Sequence, residues 1–240
     1  MTAENFPACL AFTLKYEGGR SDDPRDPGGR TMEGVTQATY DRYRNFYNLP
    51  KEDVFSIKPA MRDEIYRGEY WDLVNGDALR RGEDLCVFDL AVNSGVSRAN
   101  RLSGVWKTHP IRDAIEGICA HRLSFLHALQ TWSHFGAGWG RRVAGCEALA
   151  LRMSHGEAAS AILSSKAKEA AHHSGRKATQ AVVAGTITGS AAIAHASHVG
   201  MSAASGIAII GVVMTLTGIL VFHAWRQSQR AAAFAVEAKR

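Results

Sequence analysis

The sequence predicts a mainly α fold with one small β-hairpin region, followed by a C-terminal transmembrane helix. Three observations carry this reading. Apolar residues recur at helical spacing through most of the first 153 residues, few segments show the period-2 alternation of strands, and a long charge-free run lies near the C-terminus. With 240 residues and 46% hydrophobic composition, the chain can bury one core and a small appendage.

Residues 5–17 read as the first helix. Asn5 is placed to cap it, and Pro7 fits its first turn. Phe6, Cys9, Leu10, Thr13, Leu14 and Glu17 share one stripe, and Gly18-Gly19 stops the helix. Glu17 is thereby expected on the last turn, facing the protein. The negative end of the helix dipole and partial burial both disfavour a charged carboxylate there. The next stretch, to Thr36, is rich in Gly, Pro and Asp, and reads as successive turns and short extended pieces, the source of the β-hairpin.

Thr36 is placed to cap a helix through about Tyr47, which Asn48-Leu49-Pro50 ends. Residues 59–71 begin with Pro and turn Met61, Ile65 and Tyr66 inward. Their aromatics Tyr66, Tyr70 and Trp71 fit either a core or a sugar platform. Residues 83–95 are the most apolar helix of this half, acidic at the start and closed by Gly95. Residues 111–154 give two further helical stretches, with the Gly/Trp-rich segment 135–140 as the turn between them.

After about Met153 the composition changes. Residues 154–177 are a polar, Ala-rich helix or linker, and from Ala178 to Trp225 there is no Lys, Arg, Asp or Glu. Ala203–Phe222 is long enough to span a bilayer core, at ~1.5 Å per residue. Trp225 and Arg226 follow as interfacial anchors. Val182–Val199 is a weaker second segment, so one span or two remain open, and 223–240 is a basic tail. Positive-inside counting for a single span puts that tail in the cytoplasm and the folded body outside. The expected location is the bacterial inner membrane with the catalytic domain in the periplasm. The N-terminus shows no basic n-region, so no ordinary secretory signal is expected.

The net charge of +5 is uneven. Residues 1–165 hold 20 Lys/Arg against 21 Asp/Glu, whereas 166–240 hold 8 against 2. A nucleic-acid enzyme would carry its excess on the folded body, so no nucleic-acid partner is expected. Cys9, Cys86, Cys119 and Cys146 lie far apart in apolar helical patterns without metal spacing. They read as buried free thiols or as one disulfide plus two free thiols. His121, His127, His134 and His172-His173 have no ligand-like partner at helical spacing. His195-x-x-His198 alone does, and neither metal nor cofactor is expected.

Three chemistries compete for the acidic loop. Asp22, Asp23 and Asp26 offer oxygens to calcium but lack the spaced loop and distant Glu of a calcium hand. Gly28-Gly29 offers amides to a phosphate, in a loop too acidic for one. Glycoside hydrolysis needs a protonated acid and a second group that activates water or stabilises an oxocarbenium-like transition state. Glu17 suits the first role. Asp26, in a solvated turn, suits the second, and Thr31 could hold the water.

These residues carry a resemblance. Glu17-Gly18-Gly19, Asp23-Pro24, Asp26-Pro27-Gly28-Gly29, Thr31 and Gly34-Val35-Thr36 resemble the signature of glycoside hydrolase family 108, the lysozyme-like muramidases of phage endolysin and secretion-activator type. Tyr66-x-x-x-Tyr70-Trp71, Phe88-Asp89-x-Ala91-Val92-Asn93-Ser94-Gly95 and Gly138-Trp139-x-Arg141-Arg142-Val143 resemble it further on, so the likeness covers about residues 5–153. It implies a lysozyme-like helical catalytic region over 1–95 and a shortened peptidoglycan-binding helical region over 96–153. Met32 departs from the family's usual Asn.

The resemblance implies cleavage of the β-1,4 bond between N-acetylmuramic acid and N-acetylglucosamine in peptidoglycan. Glu17 is then the general acid, Asp26 and Thr31 the other catalytic residues, and Tyr70, Trp71 and Asn93 contact the substrate. A membrane-tethered enzyme of this kind would serve cell lysis or wall remodelling, with a phage-lysis or secretion machinery as partner. A non-catalytic, holin-like membrane scaffold and a lytic transglycosylase are the alternatives.

Overall fold

Glu83–Ser94 is buried at every position from Glu83 to Ala91, and its neighbours are arranged around it. A helix buried on all sides has no solvent face, so it forms the centre of the helical core. The structure is a computed structural model. It describes residues 5–22, 29–198 and 203–240, with the backbone alone for residue 157 and for 182–198 and 203–216. Two compact units divide the chain, Met1–Gly156 and Glu157–Arg240.

In the first unit, α1 (Phe6–Leu14) leads into a three-stranded antiparallel sheet of β1 (Arg20–Ser21), β2 (Thr31–Met32) and β3 (Val35–Thr36). The register pairs Ser21 with Thr31 and Met32 with Val35. Only Glu33-Gly34 separates the last two strands, and both have positive φ, the two-residue hairpin turn whose twist matches that of its strands. The expected hairpin is therefore present. Then come α2 (Gln37–Phe46), capped by Thr36 as expected, and α3 (Pro59–Tyr66) with its leading Pro. Arg67–Trp71 continues α3 as a single wider π-turn.

The central helix is α4 (Glu83–Ser94), followed by α5 (Val96–Trp106), α6 (Ile111–His127) and α7 (Trp132–His155). Helices α1, α5, α6 and α7 all pack on α4. Three expectations change here. Asn5 does not cap α1; its amide reaches Asp84 Oδ2 at 2.8 Å and ties α1 to α4. Helix α1 ends at Leu14, leaving Glu17 in the bend beyond it. The segment 135–140 lies inside α7, because Gly136 gives the Trp132 ring the room that a Cβ would take. That packing offsets the ~1 kcal/mol each helical glycine costs.

The second unit pairs α8 (Ala159–His198) with α9 (Ala203–Ala238). Ser160 Oγ donates to Ala238 O at 2.7 Å and Ser174 Oγ to Ala224 O at 3.0 Å, an antiparallel pairing in one constant register. Phe234, Leu163, Ala170 and Ala224 fill its buried seam.

The expected transmembrane helix is overturned. Among the described residues no helix is long and apolar enough to cross a membrane. The run 203–222 does not end at an interfacial anchor. It is part of α9, which continues to Ala238 through Arg226, Gln227, Gln229 and Arg230 and pairs with α8. The side chains of 203–216 and of the second candidate segment, 182–198, lie outside the described residues. With the span go the membrane partner and the inner-membrane location that rested on it.

Candidate active site

Glu17 lies where the end of α1, the turn of the hairpin and the middle of α7 meet. Tyr16 N bonds Thr13 O at 3.0 Å to close α1, and Gly18 takes φ +75° to turn the chain into β1. Arg142 Nη2, from α7, donates to Glu17 Oε1 at 2.6 Å. The Glu17 side chain is 19% exposed, enough to meet a ligand from one side.

Arg142 also grips Asp89 on α4, with Nη2 2.8 Å from Oδ1 and Nε 3.1 Å from each carboxylate oxygen. Arg122 of α6 binds the same carboxylate through Nη1 at 2.6 Å and reaches Asn93 Oδ1 through Nη2 at 3.1 Å. Thr13 Oγ1 of α1 donates to Asp89 Oδ1 at 2.8 Å. Four helices thus converge on one buried anion. Burial alone would raise the Asp89 carboxyl, but the Arg122 and Arg142 guanidiniums outweigh it and hold it down to about 2. Burial pulls Arg142 down in turn, and Asp89 and Glu17 together push it above its ordinary range.

On the other side of Glu17 stand Tyr66 and Tyr70, with ring centroids 5.7 Å apart. Burial raises both phenols, and next the negative charge of Glu17 raises them further, so both rings lie within its field. Tyr66 Oη donates to Glu33 O at 2.9 Å, while Arg62 Nη1 pairs with the Glu33 carboxylate at 2.5 Å. Gly34, at φ +81°, closes this wall. A Cβ there would overlap the Tyr66 hydroxyl and come within 3.3 Å of Glu17 Cβ.

The remaining expected site residues are dispersed. Thr31 sits on β2, opposite Ser21 and Thr36, and its Oγ1 donates to Gly29 O at 3.1 Å. Asp26 falls in 23–28, outside the described residues. Tyr70 is partly exposed. Trp71 is fully buried, edge-on to Phe6 and Phe88 at 5.2 and 5.5 Å, with Nε1 donating to Asp77 Oδ1 at 2.8 Å. It presents no face to a ligand. Asn93 belongs to the ion-pair network through Arg122.

Asp89 and Arg142 lie in the motifs that carry the family resemblance, but neither they nor Arg122 is among the expected site residues. A signal for the first existed: a lone Asp between Phe88 and Leu90 of an apolar helix needs cationic partners if it is buried. All four cysteines are buried free thiols.

A family model described as Glycosyl hydrolase 108 matches residues 10–95. The solved structure of Brucella abortus SagA is similar at 31% sequence identity and a TM-score of 0.55, covering 65% of this chain and 98% of SagA. The chain belongs to glycosyl hydrolase family 108. Among curated proteins none matches. As a family 108 member the chain is a glycoside hydrolase, and the two likenesses support a lysozyme-like peptidoglycan hydrolase. The family model ends at Gly95, yet the Glu17 site of this glycosyl hydrolase is completed by Arg142 from α7.

Proposed function

We propose that this family 108 hydrolase is an N-acetylmuramidase that cleaves the β-1,4 bond between N-acetylmuramic acid and N-acetylglucosamine, with Glu17 as general acid. One observation carries the reading: a partly exposed carboxylate anchored by a single oxygen to a buried ion-pair network. Arg142 occupies Oε1, which leaves Oε2 to carry a proton toward a glycosidic oxygen. When the proton leaves, Arg142 already faces the carboxylate that remains, so no group has to reorganise during the step. Asp89, pinned by two arginines and Thr13, keeps Arg142 from following Glu17 toward the substrate.

In this reading Asp26 stabilises positive charge at the anomeric carbon or activates water, and Thr31 holds that water. Tyr70 offers the open part of its ring to a sugar. Trp71 and Asn93 act from behind, as positioning residues for α4 and Arg122. Residues 1–95 then supply the groups that face the substrate, and 96–153 supply the guanidiniums that hold them.

Digestion of purified sacculi by the full chain, with muropeptides read by mass spectrometry, tests this. Wild-type protein should release reducing muramic ends, and Glu17→Gln should release none while remaining folded. Full activity in Glu17→Gln would remove Glu17 from the mechanism. Anhydro-muramic ends would replace hydrolysis by the transglycosylase alternative.

A further inference from the structure

Beneath the Asp89 network lies a second layer built by the same three helices. Cys86 stands three residues before Asp89 on α4, and Cys119 three residues before Arg122 on α6. Cys146 follows Arg142 by four on α7. About one helical turn therefore separates each thiol from its charged neighbour. The sulfurs converge: Cys86 Sγ is 3.7 Å from Cys119 Sγ and 3.9 Å from Cys146 Sγ, and all three lie within 4.8 Å of one another. None of the three is more than 2% exposed.

We propose that Cys86, Cys119 and Cys146 form a three-coordinate thiolate site for a soft monovalent cation, Cu(I). An all-sulfur set selects soft ions. Structural zinc takes four ligands, and among the described residues no fourth His, Cys, Asp or Glu joins this group. Three equal bonds of about 2.3 Å in a plane, a metal–thiolate length, put the sulfurs about 4.0 Å apart. The observed 3.7 and 3.9 Å need little adjustment.

The three thiols also interact with one another, their mutual sulfur contacts pushing Cys86 and Cys119 up and Cys146 down. Among the described residues the buried Arg122 Nε–H has no hydrogen-bond partner, so this guanidinium, one turn from Cys119, is not fully satisfied by Asp89 and Asn93. Each sulfur that ligates as thiolate releases its proton to solvent, Cu(I) keeps its charge, and no electron moves. Because α4, α6 and α7 each give one ligand, the ion would tie together the helices that hold Arg122, Asp89 and Arg142.

The test is an anaerobic titration of the reduced full chain with Cu(I), delivered from a bicinchoninate complex and read by competition and thiolate-to-copper absorption. One equivalent should bind and raise the thermal midpoint. Cys119→Ser should weaken binding at least about a hundredfold, since loss of an outer-shell partner alone costs 10–100-fold. Cys9→Ser should bind like wild type, and Zn(II) should not displace the ion. No binding against the chelator, unchanged binding in Cys119→Ser, or displacement by Zn(II) would overturn the site. If Cys119→Ser does not fold, alkylation of the wild-type chain in moderate urea decides. Cu(I) should protect Cys86, Cys119 and Cys146 and leave Cys9 reactive, whereas equal labelling of all four with and without Cu(I) overturns the proposal.

Discussion

Arg142 Nη2 lies 2.6 Å from Glu17 Oε1 and 2.8 Å from Asp89 Oδ1, so one nitrogen joins a partly exposed carboxylate to a buried one. A planar guanidinium can hold two carboxylates at once with fixed geometry, and an ammonium cannot. Arg142→Lys should therefore keep the fold but let Glu17 drift. Turnover on sacculi should fall ~100-fold, the order expected when a reacting group is misplaced by about 1 Å. The KM should change little. An unchanged kcat would mean that Arg142 does not position Glu17.

Asp89→Asn removes the anion and leaves two buried guanidiniums facing each other. Breaking a buried pair in this way costs about 3–5 kcal/mol. Urea unfolding should show that loss, well beyond what Asp63→Asn gives at the surface, where the Asp63 carboxylate that pairs with Arg62 is exposed.

Acid stability should carry the signature of Asp89. Its folded carboxyl is held at about 2, against an ordinary 3.8. A carboxyl depressed on folding stabilises the protein above its unfolded value, and that contribution disappears as pH falls toward the folded one. The expected contribution, ~2 kcal/mol at neutral pH from the size of the shift, should be lost between about pH 4 and pH 2. Asp89→Asn should flatten this part of the stability curve, and a wild-type curve that is already flat there would contradict the assignment.

Gly34→Ala should damage the site directly. Its φ of +81° strains any L side chain, by about 1–2 kcal/mol, and the new methyl would push on Tyr66 and on Glu17 Cβ. Lower thermal stability should accompany a larger proportional loss of lysis. Equal activity per folded molecule would argue against the hairpin turn as a wall of the site.

Tyr70 and Trp71 are adjacent but should separate cleanly. Tyr70→Ala should weaken binding of glycan fragments ~3–10-fold, the worth of one aromatic contact, with little change in thermal midpoint. Trp71→Phe should do the reverse, lowering the midpoint through lost core volume and the lost Nε1 bond to Asp77 while binding stays intact. Calorimetric titration and thermal unfolding read the two effects independently.

The helical fold was legible in the sequence because its cues are local. Pro59, Thr36 and Gly95 each act within one turn, and α2, α3 and α4 start or end beside them. The end of α1 was misplaced because Glu17 continues the apolar stripe in register while the backbone has already left the helix. The glycines of α7 read locally as a turn, since nothing nearby in sequence shows that the Trp132 ring fills the space over Gly136.

Glu17 itself could be read from its loop. Its partner could not, for no local rule links it to an arginine 125 residues away. The same limit hid the thiol cluster, whose members sit on three separate helices with no motif spacing. Hydropathy, length and the flanking Trp225 and Arg226 all point to a membrane span in the closing run. The contacts that Ser160 and Ser174 make with Ala238 and Ala224 place α9 instead in a paired hairpin that extends well past the run.

The shared grip on Asp89 has a consequence for how such chains can diverge. Residues 10–95 match the family model, but α4 within them carries an anion that arginines of α6 and α7 neutralise. A recombination event joining that segment to a foreign C-terminal part would keep Glu17 and Thr31 and strand Asp89 as a bare buried charge. The two segments are therefore exchangeable only as a pair. Replacement of either in an engineered chimera has to bring compatible charges at positions 89, 122 and 142 together, or an apolar set at all three.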